Sequence, residues 1–361
     1  MREELHFRRY IEEDDQDLSR LISEIFGHDW DDQVFEWKYR KNPAGMALSA
    51  VAEKNGKVIG QIGAIPARFS VDGKELVGSQ EVDGCLDKKH GKFDTLYYLI
   101  RLRRKINEEE GIGFSFLFSL EVSSKIALKA LKDSIRVCSM PGLVKVLDVE
   151  PFLSDRLRLG GAAPLFAPVV NQALRILDPT IGRTIPKGTR MKRVERFDER
   201  FDALWNRIKR DYPIMIARDS AYLNWRYVDV PHRNYVILSL ENAETREILG
   251  FIVFSEKQRD YRIGQILDVV TPRTGHEQIA RVLIREAVRH FHEKKVALAI
   301  CLMLPHCHVF PALRRFGFRK RKKRGMDLIF GNTDAKNPRI PLEFAGNEEN
   351  WYVCLGDSDF Y

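Results

Sequence analysis

Long apolar runs are missing from this chain. Nothing in its 361 residues approaches the roughly 20 consecutive apolar positions that a bilayer-spanning helix needs. The opening stretch, MREELHFRRYIEEDDQD, is charged where a secretory leader is apolar, so a soluble, cytoplasmic protein is expected. Cysteine is scarce as well. Cys85, Cys138, Cys301, Cys307 and Cys354 are odd in number and form no CxxC pair, which argues against a disulfide framework and against a cysteine zinc site. They read as reduced, mostly buried thiols. His306-Cys307-His308 is dense in metal-binding groups, but three consecutive residues wrap one ion poorly, and no metal is expected. Charge of one sign is not abundant either: 59 Lys+Arg against 51 Asp+Glu leave a net +8. The excess concentrates in RKRKKR, Arg319 to Arg324, a block able to attract phosphate, nucleic acid or an anionic membrane surface, and otherwise a solvated turn between two strands. No RNA-recognition or zinc-finger module accompanies it, so nucleic acid is not the expected partner.

What the chain does contain is an internal echo. FEWKYRKNP, Phe35 to Pro43, and LNWRYVDVP, Leu223 to Pro231, share the skeleton Trp-basic-Tyr-x-x-x-Pro at identical spacing. With Trp37 laid on Trp225, further correspondences follow at similar offsets. A strand ending in Ile59-Gly60-Gln61-Ile62 matches one over Ile248 to Ile252, and SQEVDGCL around Asp83 matches GQILDVV around Asp268. Amphipathic helices then fall at Asp94 to Glu110 and Glu277 to Lys294, followed by the unalternating apolar runs GFSFLFSL and VALAICLML, which suit strands buried on both faces. ALKAL and ALRRF close the two series. The chain reads as two copies of one strand-loop-helix-strand-helix design. An N-terminal domain is expected at 1–140 and a C-terminal one at 193–331. Residues 141–192, rich in Gly, Ala and Pro and carrying a helix around Val169 to Leu177, read as a connection, and 332–361 as a tail whose WYVCL can add a strand to either domain.

This order of elements resembles the GNAT superfamily, which transfers acyl groups from acyl-coenzyme A to amines, duplicated in one chain; LRRFGF, Leu313 to Phe318, matches the Gly-Phe that closes its last helix. The resemblance implies an α/β fold with a mixed sheet in each of two tandem domains. It also implies an N-acetyltransferase that takes acetyl-CoA as its donor and a small-molecule or sugar-linked amine as acceptor. Two other readings stand beside it: a FemABX-like aminoacyltransferase using aminoacyl-tRNA, and a non-catalytic module that binds acyl-CoA or polyanions.

The family holds the pyrophosphate on a glycine-rich loop at a helix N-terminus, where backbone N–H groups and the helix dipole stabilise charge. In the first copy that place is taken by Lys88, Lys89, His90, Gly91, Lys92, Phe93, Asp94 and Thr95, with Phe93 where glycine is usual. These are the expected cofactor-binding residues. In the second copy Arg273 and Gly275 are followed by His276 and Gln278, and Glu277 at the helix start repels phosphate. Acyl transfer to an amine also needs a base. Glu81 and Asp83 are expected on one face of the strand before the first loop, and Glu121 at the end of the next strand; these three are the candidate catalytic carboxylates, with Glu81 the preferred base.

Overall fold

The computed structural model describes the chain except residues 1–4, 28–30, 88, 90–92, 132, 157–162, 177, 179–184, 276, 322–324 and 360–361. The first half runs β1 (Leu5–Arg9), α1 (Asp15–Phe26), α2 (Asp32–Phe35), β2 (Ala50–Lys54), β3 (Lys57–Val71), β4 (Lys74–Leu86), α3 (Phe93–Glu109), β5 (Phe114–Ser119), α4 (Glu121–Ala130), β6 (Ser134–Met140) and β7 (Gly142–Val146). Then come α5 (Glu150–Arg156), α6 (Ala163–Ile176), β8 (Thr189–Arg193), α7 (Glu199–Ile208), β9 (Ile214–Ile216), α8 (Ser220–Leu223), β10 (Val236–Asn242), β11 (Ile248–Gln258) and β12 (Arg262–Val270). The chain finishes with α9 (Glu277–Glu293), β13 (Leu298–Leu302), α10 (Phe310–Arg315), β14 (Arg319–Lys320), β15 (Met326–Asn332), α11 (Leu342–Gly346) and β16 (Trp351–Tyr352).

Local chemistry explains the repeated element. Asp31 accepts a hydrogen bond from the N–H of Val34 (3.0 Å) and Asp219 one from Tyr222 (2.9 Å), so each short helix is capped by an aspartate six residues ahead of its tryptophan. Both helices widen into π-helical turns, Glu36–Arg40 and Asn224–Val228, a form that concentrates at functional sites. The two turns meet face to face. Trp37 and Trp225 stack with ring centroids 5.1 Å apart, and each indole N–H donates to the other's carbonyl, at 2.6 and 2.9 Å. The echo that marks the duplication is therefore also the contact about which the two copies are related.

Two mixed sheets form, with the same order. The first runs β1-β2-β3-β4-β5-β15-β6 and the second, from the opposite edge, β8-β10-β11-β12-β13-β7-β14. In each, a central parallel pair interrupts the antiparallel order, β4 with β5 and β12 with β13; the first sheet also carries β9 against β3, and β16 in parallel on β9. Asp83 and Asp268 occupy corresponding strands, as the offsets predict. Membership of the sheets does not follow the linear division of the chain, however. Gly142–Val146, within the stretch read as a connection, pairs with β13 in the second sheet, and Met326–Asn332, from the second copy, enters the first between β5 and β6. The two copies have exchanged a strand. At the crossing, Arg321 N–H donates to Gly142 carbonyl (2.8 Å), and a side-chain carbon on Gly325 would run into the carbonyl oxygen of Met140. One continuous hydrophobic cluster joins Phe69 and Phe114 of the first half to Phe251 and Phe291 of the second through the stacked tryptophans.

Candidate functional site

Strands β4 and β5 touch only at Ser79–Ser115 and Gln80–Phe116 and then part. Their divergence opens a cavity of about 920 Å3, walled by residues 81–84 and 117–120, floored by Leu96 and Ile100 of α3 and Ile126 and Ala127 of α4, and closed on one side by Trp37 and Lys38. Val230, Pro231, His232 and Arg233, from the turn that follows the second tryptophan, complete its wall. The β3–β4 register slips between Gln61 and Gly63, and Asp83 takes φ 48°, a left-handed value uncommon for a residue with a side chain. A bulge of this kind re-aims side chains and frees backbone groups beside a site.

Here one sequence expectation changes. Simple alternation would put Glu81 and Asp83 on one face, but the bulge breaks it, and different elements hold the two carboxylates. Glu81 receives Arg103 of α3 and, at 3.3 Å, the hydroxyl of Ser115, both on Oε1. Asp83 receives Lys38 (2.7 Å) and the Tyr39 hydroxyl (2.7 Å) from the π-helical turn. Both still line the cavity. Arg103 is fully buried, and burial lowers its pKa against the opposing pull of Glu81. Burial, reinforced by Asp83, raises Tyr39 well above the usual tyrosine range, so it stays a proton donor. Glu121 opens α4 at the end of the β5 wall; its side chain lies outside the described residues.

Of the expected phosphate-binding residues, Lys88, His90, Gly91 and Lys92 lie outside the described residues, as does the side chain of Phe93. Lys89 is exposed and its N–H is taken by Asp87 (2.7 Å); Asp94 is exposed and Thr95 buried in the first turn of α3, whose next two turns floor the cavity. Asp359, outside the expected site residues, also lines the cavity, with an oxygen 3.7 Å from the Lys38 ammonium. Burial raises its pKa. No local signal marks Arg103 or Asp359 as neighbours of Glu81 and Asp83, because each reaches the site from a distant element.

The corresponding divergence in the second sheet is filled. Strands β12 and β13 pair from Ile263–Leu298 to Ile266–Cys301 and then part, but the C-terminal tail occupies the gap. Cys354 bridges Met303, the Tyr352 hydroxyl donates to the carbonyl of Val269 (2.7 Å), and a side chain at Gly356 would strike the Tyr227 hydroxyl. Asp268 is fully buried and accepts from Arg218 Nε (2.8 Å), while Nη2 of the same guanidinium donates to Asp357 of the tail (2.5 Å). Arg226, the counterpart of Lys38, donates to the tail carbonyls of Gly356 (2.9 Å) and Ser358 (2.7 Å). Where the first copy has Glu81 the second has Ile266. Arg273, the basic residue of the second loop, is fixed by Asp211 (2.9 Å to its carbonyl) and lies 4.9 Å over the Tyr212 ring. His308 sits between the Tyr212 hydroxyl (2.9 Å) and Thr271 (2.8 Å).

The five cysteines are all free and buried; burial pushes Cys85, at the end of the cavity-lining strand, up to about 12, which leaves it a poor nucleophile. No helix among the described residues is long and apolar enough to cross a membrane.

No protein-family model matches this chain, and no curated protein matches its sequence. Solved structures do match its shape. Saccharomyces cerevisiae N-myristoyltransferase with bound myristoyl-CoA superposes with a TM-score of 0.61 at 13% identity, over 91% of this chain and 79% of its own. A tandem GNAT protein from the clavulanic acid biosynthesis pathway gives 0.57 at 13%, over 92% of this chain and 100% of its own. A GCN5-related N-acetyltransferase from Anabaena variabilis gives 0.63 at 12%, over 92% and 73%. The fold is therefore GNAT-like and tandem.

Proposed function

We propose that the chain is an acyltransferase that moves an acyl group from acyl-coenzyme A to an amine, and that it works in its first half. The observation that carries this reading is the open divergence of β4 and β5, walled by Glu81 and Asp83, beside a second divergence that the chain's own tail fills. The sequence resemblance favours acetyl-CoA as donor. Past Gln80 and Phe116 the facing edges of the two strands no longer pair with each other, so their N–H and C=O groups can receive the amides of an extended ligand. The basic segment Lys88 to Lys92 precedes α3, where cations and a helix N-terminus suit a pyrophosphate.

An amine is protonated in neutral water and attacks only once it has lost that proton. Asp83 and Asp359 present carboxylates to the cavity beside the ammonium of Lys38, with Arg233 on the wall that closes it, and the two carboxylates offer a place for a cationic acceptor. Both described hydrogen bonds to Glu81 fall on Oε1, which leaves Oε2 to accept the proton, directly or through water. The thioester carbonyl gains negative charge as the amine adds, and the backbone freed at the bulge can donate to it.

The test separates binding from chemistry. Leu120 lines the cavity yet is 58% exposed, so Leu120→Trp narrows the cleft without a core penalty. Coenzyme A and acetyl-CoA should raise the melting temperature of the native chain and fail to raise that of the variant, whereas aminoacyl-tRNA should leave both unchanged. Glu81→Gln should lower turnover about 100-fold or more with cofactor affinity retained, and higher pH should restore part of it. Equal stabilisation of Leu120→Trp by coenzyme A would remove the first cleft from the reading.

A further inference from the structure

Helix α6 is turned inside out. One polar residue holds it to the protein: Asn171 accepts from the N–H of Val149 (2.9 Å) and donates to Asp148 (2.7 Å), and two residues past the helix Asp178 pairs with Lys145 (2.9 Å), while Gln172 and the cation Arg175 are exposed. Its apolar side faces solvent. Phe166 is 58% exposed, Val169 71% and Ile176 71%, with Val170 and Leu174 exposed between them, while Ala167 alone among its described side chains is buried. A soluble helix ordinarily does the reverse, and exposed apolar patches of this kind mark contact surfaces.

The chemistry around the helix says what it contacts. Between the end of α5 and the end of β8, residues 157–193 hold seven cations and one acid, Asp178, which is already paired with Lys145. Lys145 belongs to β7, and β7 pairs through Val144 and Leu143 with Arg319 and Lys320 of β14, the outermost strand of the second sheet. The helix is thus anchored one strand away from exposed Arg319, Lys320 and Arg321, the start of the run of six cations. Apolar side chains alone would suit a second protein, and cations alone a nucleic acid. Together, with the acids turned inward, they fit a surface that offers hydrocarbon beneath a layer of negative charge.

We propose that α6 and the basic edge at β14 form a docking surface for an anionic lipid bilayer, on which the helix lies flat with its apolar side in the headgroup boundary. None of the residues that line the cleft belongs to this surface, and the proposal stands whether or not the chain transfers acyl groups.

Flotation of the full chain with vesicles tests it. Vesicles of phosphatidylcholine and phosphatidylglycerol, in a ratio of about seven to three, should bind the protein at least tenfold more strongly than phosphatidylcholine alone, and raising the salt should weaken the difference. Val169→Glu with Ile176→Glu, both at exposed positions, should abolish binding while the melting temperature stays unchanged. Arg319→Glu with Lys320→Glu should reduce it about tenfold and remove its salt dependence. Failure of the native chain to float with anionic vesicles at low salt would overturn the proposal, as would undiminished binding by the helix variant. Concentration-dependent dimers on size exclusion, dissolved by the same helix substitutions, would overturn it in favour of a second copy as the occupant.

Discussion

The two halves build the same strand divergence, and the chain leaves one open and fills the other. In both, a parallel strand pair parts after a few residues and an aspartate at the bend is held by a tyrosine two residues beyond a stacked tryptophan, Asp83 by Tyr39 and Asp268 by Tyr227 (3.4 Å). In the first half the basic residue between them, Lys38, faces a cavity; in the second, Arg226 is spent on the tail. Duplication supplies two clefts, and residues 352–358 close the second with buried contacts. Polar residues that would greet a ligand in one copy become buried counterions in its sibling.

The comparison can be sharpened by removing matching residues from each side. The largest difference is expected at the cations. Arg218 is buried between Asp268 and Asp357, so Arg218→Met strands two carboxylates and should cost about 3–5 kcal/mol in denaturant unfolding. Lys38→Met, beside an open cavity that water can enter, should cost clearly less. Equal losses would mean that the first cleft is as dry as the second. A smaller difference is expected where the strands cross. Gly325→Ala forces a carbon against the Met140 carbonyl and should cost about 1–3 kcal/mol or somewhat more, whereas at Gly142 the same carbon meets only Arg321 Cβ at 3.9 Å and the change should be nearly silent. The smallest effect concerns pH. Burial and the nearby Arg273 lower His308 to about 4, so the folded chain disfavours its protonation; stability should be full above about pH 6.5 and fall as pH drops toward 4. With partial exposure the loss should be about 1–2 kcal/mol. His308→Gln should flatten this slope in melts between pH 7 and 4.5.

The duplication was legible because the Trp-basic-Tyr-x-x-x-Pro element, the strand order and the paired aspartates all sit at similar offsets in a linear chain. Helix spans read from periodicity also lie close to those seen: Asp94 to Glu110 against Phe93–Glu109, and Glu277 to Lys294 against Glu277–Glu293. What could not be read was decided by long-range contact. Nothing in GLVKV or MDLIFGN states which sheet it enters, since either apolar strand satisfies either gap. The bulge at Asp83 defeated the assumption of strict alternation, and Arg103, which grips Glu81, looks like an ordinary surface arginine on α3. WYVCL was expected to add to either domain and serves both: Trp351 pairs with Ile214 of β9, itself beside β3 of the first sheet, and Cys354 bridges the second.

The exchanged strands also govern the order in which the molecule can be made. Phe114 to Ser119 wait for partners at Asp327 to Asn332, more than two hundred residues downstream, so the first sheet cannot be completed until Asn332 has left the ribosome. Pairings this distant in sequence close slowly, and until they do β5 and β6 present unmatched edges that invite aggregation. Neither half, synthesised alone, carries all the strands of its own sheet. The two are therefore a single unit of biosynthesis, and a fragment that ends before Asn332 leaves its first half as well as its second unfinished.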